Sequence, residues 1–379
     1  MSSRRLAAVF WIEFRHSFRR PLFIFLAVIL LLNAWGLSTG KVAISSGDSE
    51  VGGTKAWITS EFAQTQMMTF IILLLYGFFI AKAAGMTLLR DHETKADEIL
   101  HSTPLTAGEY VWGRYLAVGA AFVGLMIFQI MANAFFNHVV PNGSANEIRG
   151  PFLLRSYLMP VLTIGLPFLV FFTGLSMYVS ERTRNAVMVY LLPTAALVVC
   201  GFFLWTWAPS WLDLRVNKLL QFIEPSGYRW LNETHLKIDR GVAFYNKHSV
   251  PYDALFWLNR AWLLLLGFGA VLLTQRSVAL SLRGAVASRR DLKAGAEQAK
   301  RGPIPWEEAP AGAVLAGLGM KTGAPGYLRC VASVARCEVR ELLRQGALYI
   351  FVPLILIQVL GNSLLAVGAF DTPLLLTPG

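Results

Sequence analysis

Charge is what this sequence has least of. Only 15% of its 379 residues are Asp, Glu, Lys or Arg, against roughly 25% in a soluble globular chain, and 55% are hydrophobic. A mean hydropathy of +0.51 excludes a soluble enzyme. Cysteine is scarce as well. Cys200, Cys330 and Cys337 build no disulfide framework, and the spacing of the last two makes no metal site. The apolar runs hold no Asp or Glu and no His in their cores, which argues against a proton- or sodium-coupled pump. Catalytic signatures are missing too. Gly36-Leu37-Ser38-Thr39-Gly40 fits a nucleophile-elbow pattern, but it ends an apolar run with no acid or histidine placed beside Ser38. His92-Glu93 lacks the second histidine of a zinc protease helix, because Ala96 stands there. The segment Gly317-Leu318-Gly319-Met320-Lys321-Thr322-Gly323 is no phosphate loop, since Met320 and not Gly precedes the lysine.

What is present are apolar runs of about 20 residues, each long enough to cross a hydrocarbon core of roughly 30 Å as a helix. They fall at 21–38, 64–84, 114–136, 156–179, 186–207, 256–275 and 347–368. A barrel is excluded, because its strands would alternate and not run apolar throughout. The expected fold is all-α: a polytopic helical membrane protein. Lys82 and Arg260 fall near span ends and are expected to snorkel. Asn33, Gln129 and Asn133 are expected to hydrogen-bond between helices.

The net charge of +11 does not point to nucleic acid, because the cations lie between spans, where their distribution sets orientation. Of 34 Lys and Arg, 23 fall on one side and 11 on the other, and six of those 11 share the long 209–255 connection with five carboxylates. The N-terminus is therefore expected in the cytoplasm.

From Ser3 to Arg20, Leu6, Val9, Phe10, Phe14 and Phe18 recur at helical spacing among Arg4, Arg5, Glu13, Arg15, Arg19 and Arg20. Such a helix should lie in the membrane interface, with Phe10, Phe14 and Phe18 in the acyl boundary and Arg15 and Arg19 on anionic lipid. A shift of 325 residues aligns Glu13, Arg15 and Arg19 with Glu338, Arg340 and Arg344, and each copy leads into an apolar run. The predicted organisation is an interfacial helix over 1–20, a six-span domain over 21–275, a flexible linker over 276–326, and a second interfacial helix with a seventh span over 327–379. That is one permease half and the opening of a second, so the sequence reads as part of a longer chain.

One segment stands out on the predicted inner side. From Gly85 to Gly113, Arg90 and Lys95 face Asp91, Glu93, Asp97, Glu98 and Glu109, a net charge of −3. Anionic lipid would repel it. Leu88, Leu89, Ala96, Ile99 and Leu100 make a narrow apolar stripe, Ser102-Thr103-Pro104 ends it, and Thr106 with Glu109 forms a capping-box pattern that restarts a helix. An apolar and acidic hairpin of this kind is a docking surface for a protein.

These features resemble the permease subunits of type-2 ABC exporters, and among them the large two-half permeases whose later portion often carries a zincin-type aminopeptidase domain, which this sequence does not show. The resemblance rests on the interfacial helix, on "RDHETKADEILHSTPLTAGEYVWGRYLA" and on "EPSGYRWLNETHLKIDRGVAFYNKHSVPYDALFWLNRAWLL". It implies a coupling segment at Arg90, Asp91, Glu93, Asp97, Glu98, Ile99, Leu100, Thr103, Pro104 and Leu105 that fits a cleft on a separate cytoplasmic ABC ATPase. The turn from Ser180 to Asn185 would make a second, lesser contact. It further implies no enzyme activity and no cofactor in this chain, ATP being bound by the partner subunit, and a second permease half, in the same chain or as a dimer. The expected location is a bacterial cytoplasmic (inner) membrane. The competing reading is a non-transporting membrane anchor for a partner protein.

Overall fold

The structure, a computed structural model, describes residues 2–39, 56–94, 105–140, 147–205, 212–282, 331–333 and 335–336. One compact unit extends to Ala279. Residues 280–282, 331–333 and 335–336 belong to a second unit and are helical. Residues 276–282 of the expected linker are helical; apart from them and those short pieces, the linker, second interfacial helix and seventh span lie outside the described residues.

All regular structure among the described residues is helical. Helix α1 runs Ser3–Arg19 and ends because Arg20 precedes proline, which pushes it to an extended conformation. Pro21 then opens α2, Pro21–Ser38, at a position where its missing N–H costs nothing. Helix α3, Glu61–Asp91, starts at Ser60, whose hydroxyl accepts the Ala63 N–H at 3.2 Å. Helix α4 is Ala107–His138 and α5 is Leu154–Thr183. Pro160 sits inside α5, and the following turn, Val161–Gly165, widens to π-helical pairing, the usual accommodation of a lost backbone donor. Arg184 adopts a left-handed conformation (φ 48°), and Asn185 caps the next helix through the Val187 N–H at 3.0 Å. Helix α6 is Ala186–Trp205. Three short helices follow: α7, Leu214–Ile223, α8, Tyr228–Leu231, and α9, Val242–Lys247. Helix α10, Ala254–Leu282, completes the set.

Six of these helices, α2 to α6 and α10, are long and apolar enough to cross a membrane. Helices α3 and α5 are the centre, packed on one another and carrying the fully buried Ile72, Tyr76, Ile80, Phe168 and Phe172. Helix α5 also crosses α10 at Gly174 and Gly267, where a Cβ on either residue would strike the other helix's backbone. The outer helices expose large apolar side chains, among them Ile24, Phe25 and Leu32 on α2 and Trp257, Leu258 and Leu265 on α10. Hydrocarbon solvates such a surface and water does not, so the molecule is a polytopic membrane protein.

Three expectations are corrected. The helices outrun their apolar cores, so α3, α4 and α5 include Glu61, Asp91, Glu109 and Glu181 at their ends. A hydropathy window stops at the first charge, whereas a helix continues wherever a partner satisfies that charge. Arg260 does not snorkel: it is 2% exposed, donates to the Pro225 carbonyl at 3.1 Å and lies 4.7 Å above the Phe256 ring. Leu88 and Leu89 are buried in the core, as part of α3, and do not belong to a docking stripe. Gln129 does bond across helices, accepting from the Tyr76 hydroxyl at 2.9 Å.

Candidate functional site

The chemistry-bearing residues gather where α1 meets the end of α3 and the start of α4. The Thr106 hydroxyl accepts the Glu109 N–H at 3.3 Å and the Glu109 carboxylate accepts the Thr106 N–H at 3.0 Å, the two bonds of the expected capping box. The same buried carboxylate accepts the Ser2 N–H and lies 3.4 Å from Arg5 Nε, so it ties down the start of α1 as well. Val9 and the Leu6 backbone sit against Gly113 of α4. At the far end of α1, Glu13 accepts from Arg20 at 2.7 Å and from the Thr87 hydroxyl at 3.4 Å. Arg90 donates to His16 Nε2 at 2.9 Å, which requires a neutral ring. Burial, and then the Arg20 charge, hold His16 below its ordinary pKa of 6.5, which favours that neutral form.

A second clamp joins the described ends of the acidic segment. Asp91 accepts from Arg114 Nη2 at 2.6 Å and from the Tyr110 hydroxyl at 2.7 Å, and Arg114 also donates to the Thr87 carbonyl. Of the residues expected to dock a partner, Asp91 is therefore engaged within the chain and Arg90 is exposed apart from His16. Leu105 is half-buried. The Glu93 side chain and Asp97, Glu98, Ile99, Leu100, Thr103 and Pro104 lie outside the described residues. Beside this clamp, Ser180 donates to the Gly85 carbonyl at 2.6 Å and Ser277 to Glu181 at 3.3 Å, which fixes the turn after α5.

On α1, Phe10 and Phe14 are half-buried while Phe18, Arg15 and Arg19 are exposed. The rings of Phe10, Phe14, Phe18, Phe23 and Phe122 follow one another at 4.7 to 6.0 Å, linking α1 to α4. Trp11 and Ile12, at 61% and 71% exposed, are the most open apolar groups on the helix. Sequence reasoning passed over them, although Trp11, Phe14 and Phe18 share the helical spacing that marked the phenylalanines.

The opposite end of the bundle carries buried polar groups, some of them, such as Glu224, within a segment that carried the family resemblance. Glu61, 3% exposed, faces Arg155 Nε and the Tyr252 hydroxyl, each at 3.4 Å. The Trp57 N–H donates to Asn246 at 2.8 Å and the Gly150 N–H to Thr59 at 2.8 Å. Between these groups lies a cavity of about 240 Å³. Nearby, Glu224 is fully buried and accepts the N–H groups of Ser226 and Gly227, both at 2.7 Å, and of Arg229 at 3.3 Å. Residues 212–253, expected only as a connection, are thus a folded cap on this end.

Six apolar spans with an amphipathic helix at one end and a folded cap at the other make a polytopic helical membrane protein. Residues 7–278 match the family described as ABC-2 family transporter protein, which takes in α2 to α9 and most of α1 and α10, and the chain belongs to that family. It is the membrane permease of an ABC transporter, the transmembrane and not the catalytic component, and membership implies an ABC ATPase as partner. The sequence has no significant match among the curated proteins compared with it.

Proposed function

We propose that the chain is one half of an ATP-driven exporter, inserted in a bacterial cytoplasmic membrane with its N-terminus inside. Residues Arg90 to Leu105 are its seat for the ATPase, and ATP is bound by that partner. The observation that carries this reading is the double clamp at the hairpin's base. A push on residues 92–106 reaches α3 through Asp91, α4 through Tyr110 and Arg114, and α1 through Glu109. Those three helices move as one body, which turns a local displacement by the ATPase into a shift of the bundle.

In this reading Ile99 and Leu100 are the anchors in the ATPase cleft. Glu93, Asp97 and Glu98 set orientation, Asp91 braces the stem, and Thr103, Pro104 and Leu105 complete the contact. Helix α1 rests in the interface, with Phe10, Phe14 and Phe18 toward the acyl chains and Arg15 and Arg19 toward anionic lipid. Residues 1–20 and 21–275 form one half, 276–326 a linker, and 327–379 the opening of the second half.

Buried apolar anchors dominate such interfaces, whereas rim charges tune rate and salt response. Ile99→Asp with Leu100→Asp should therefore abolish pull-down of the cognate ATPase and permease-stimulated ATP hydrolysis while insertion stays normal. Glu93→Lys with Glu98→Lys should give a milder defect that varies with ionic strength. Native-level binding and stimulation by the double Asp variant would remove this hairpin as the coupling element.

A further inference from the structure

The elbow between α1 and α2 holds a narrow crevice of about 60 Å³ that opens against α3. Its wall is apolar, from Phe23, Leu26, Phe79 and Met86, yet three cations also line it: Arg20, Lys82 and Arg90. Compensation is thin. Among the described residues, Glu13 bonds Arg20 through Nη2, while the buried Arg20 Nε has no hydrogen-bond partner. Among the described residues, Arg90 meets the acceptor nitrogen of His16 alone, and Lys82 faces the Tyr190 ring at 5.8 Å. Asp91, the next carboxylate along α3, is already held by Arg114 and Tyr110. A hydrocarbon-lined slot with surplus positive charge where an amphipathic helix turns into a span has the polarity of one kind of molecule. We propose that the crevice binds a single anionic phospholipid, its phosphate held by Arg20 and Arg90 with Lys82 below, and the start of an acyl chain against Phe23 and Phe79.

This site is distinct from the diffuse attraction of α1 for an anionic surface, because it needs a cavity as well as charge. It rests on the placing of α1 at the membrane interface. The bound lipid would fill the elbow and wedge α1 against α3, so it would stiffen the same joint through which the hairpin acts.

The test is native mass spectrometry of the purified full chain offered equal amounts of phosphatidylglycerol and phosphatidylcholine. Wild-type protein should retain phosphatidylglycerol selectively. Removing two juxtamembrane cations, in Lys82→Gln with Arg90→Gln, should weaken retention roughly 30-fold. Ala83→Leu fills part of the crevice with every charge intact and should also lower retention. Arg215→Gln with Lys218→Gln, exposed and outside the crevice, should leave it at the wild-type level. Unchanged retention in the two crevice variants overturns the site. Equal loss in the Arg215 and Lys218 variant overturns it too, because it marks unspecific attraction of charge. Displacement by inorganic phosphate alone would mark a free-anion site and refute the lipid. The ATPase pull-down reads the coupling role separately.

Discussion

Helix α1 lies against α4 at Gly113, and substitution there tests whether α1 is held as a working part. A Cβ on Gly113 would stand 2.8 Å from Val9 Cγ1, 2.9 Å from Val9 Cβ and 3.3 Å from the Leu6 carbonyl oxygen. Carbon atoms pack best at about 3.5 to 4.0 Å. Gly113→Ala therefore forces α1 away by about 0.7 to 1 Å, and overpacking of this kind costs about 1–3 kcal/mol. The better helix propensity of alanine acts on α4 and leaves the docking of α1 unimproved. Hydrogen exchange read at the α1 amides isolates the docking, and it should quicken roughly 5- to 150-fold. Val9→Ala removes the colliding Cγ1 and leaves Cβ in place, so Gly113→Ala with Val9→Ala should return exchange part of the way to the parent rate. In cycle terms the two sites should couple by at least about 1 kcal/mol. Unchanged α1 exchange in Gly113→Ala, or simple additivity in the double variant, would show that α1 is not seated on α4 as described.

Two further outcomes follow from the polar contacts. His16 is a base whose folded pKa lies below 6.5, so its contribution to α1 docking is complete above that pH and is lost as pH falls through it. Among the described residues, the ring then faces Arg20, Arg90 and Arg19 with Glu13 to offset them. Protection of α1 should drop on acidification in the wild type and stay level in His16→Gln, and an equal drop in both would clear His16. At the other end, Glu224→Ala leaves several buried N–H groups without an acceptor and should cost about 3–5 kcal/mol. It should lower Tm and open residues 212–253 to proteolysis. Lys237→Ala, which loses an exposed ion pair, should cost about 0.5 kcal/mol or less. Equal Tm values for the two would refute the role given to Glu224.

Much of this architecture is written locally. Six uninterrupted apolar runs are enough to require six spanning helices, because a backbone in hydrocarbon must satisfy its own hydrogen bonds. The periodicity of Leu6, Val9, Phe10, Phe14 and Phe18, the break before Pro21, and the Thr106–Glu109 capping box each depend on residues within a few positions of one another. The tertiary structure alone decided where the charges go. Glu109 meets Ser2 across 107 positions and Glu61 meets Tyr252 across 191, and Arg260 finds the Pro225 carbonyl 35 positions away. An ionisable group reads as a helix end in a hydropathy pattern, since isolated it could not leave water. Only when remote segments bring it a partner does burial become cheaper than exposure, and no local pattern records which segments those are.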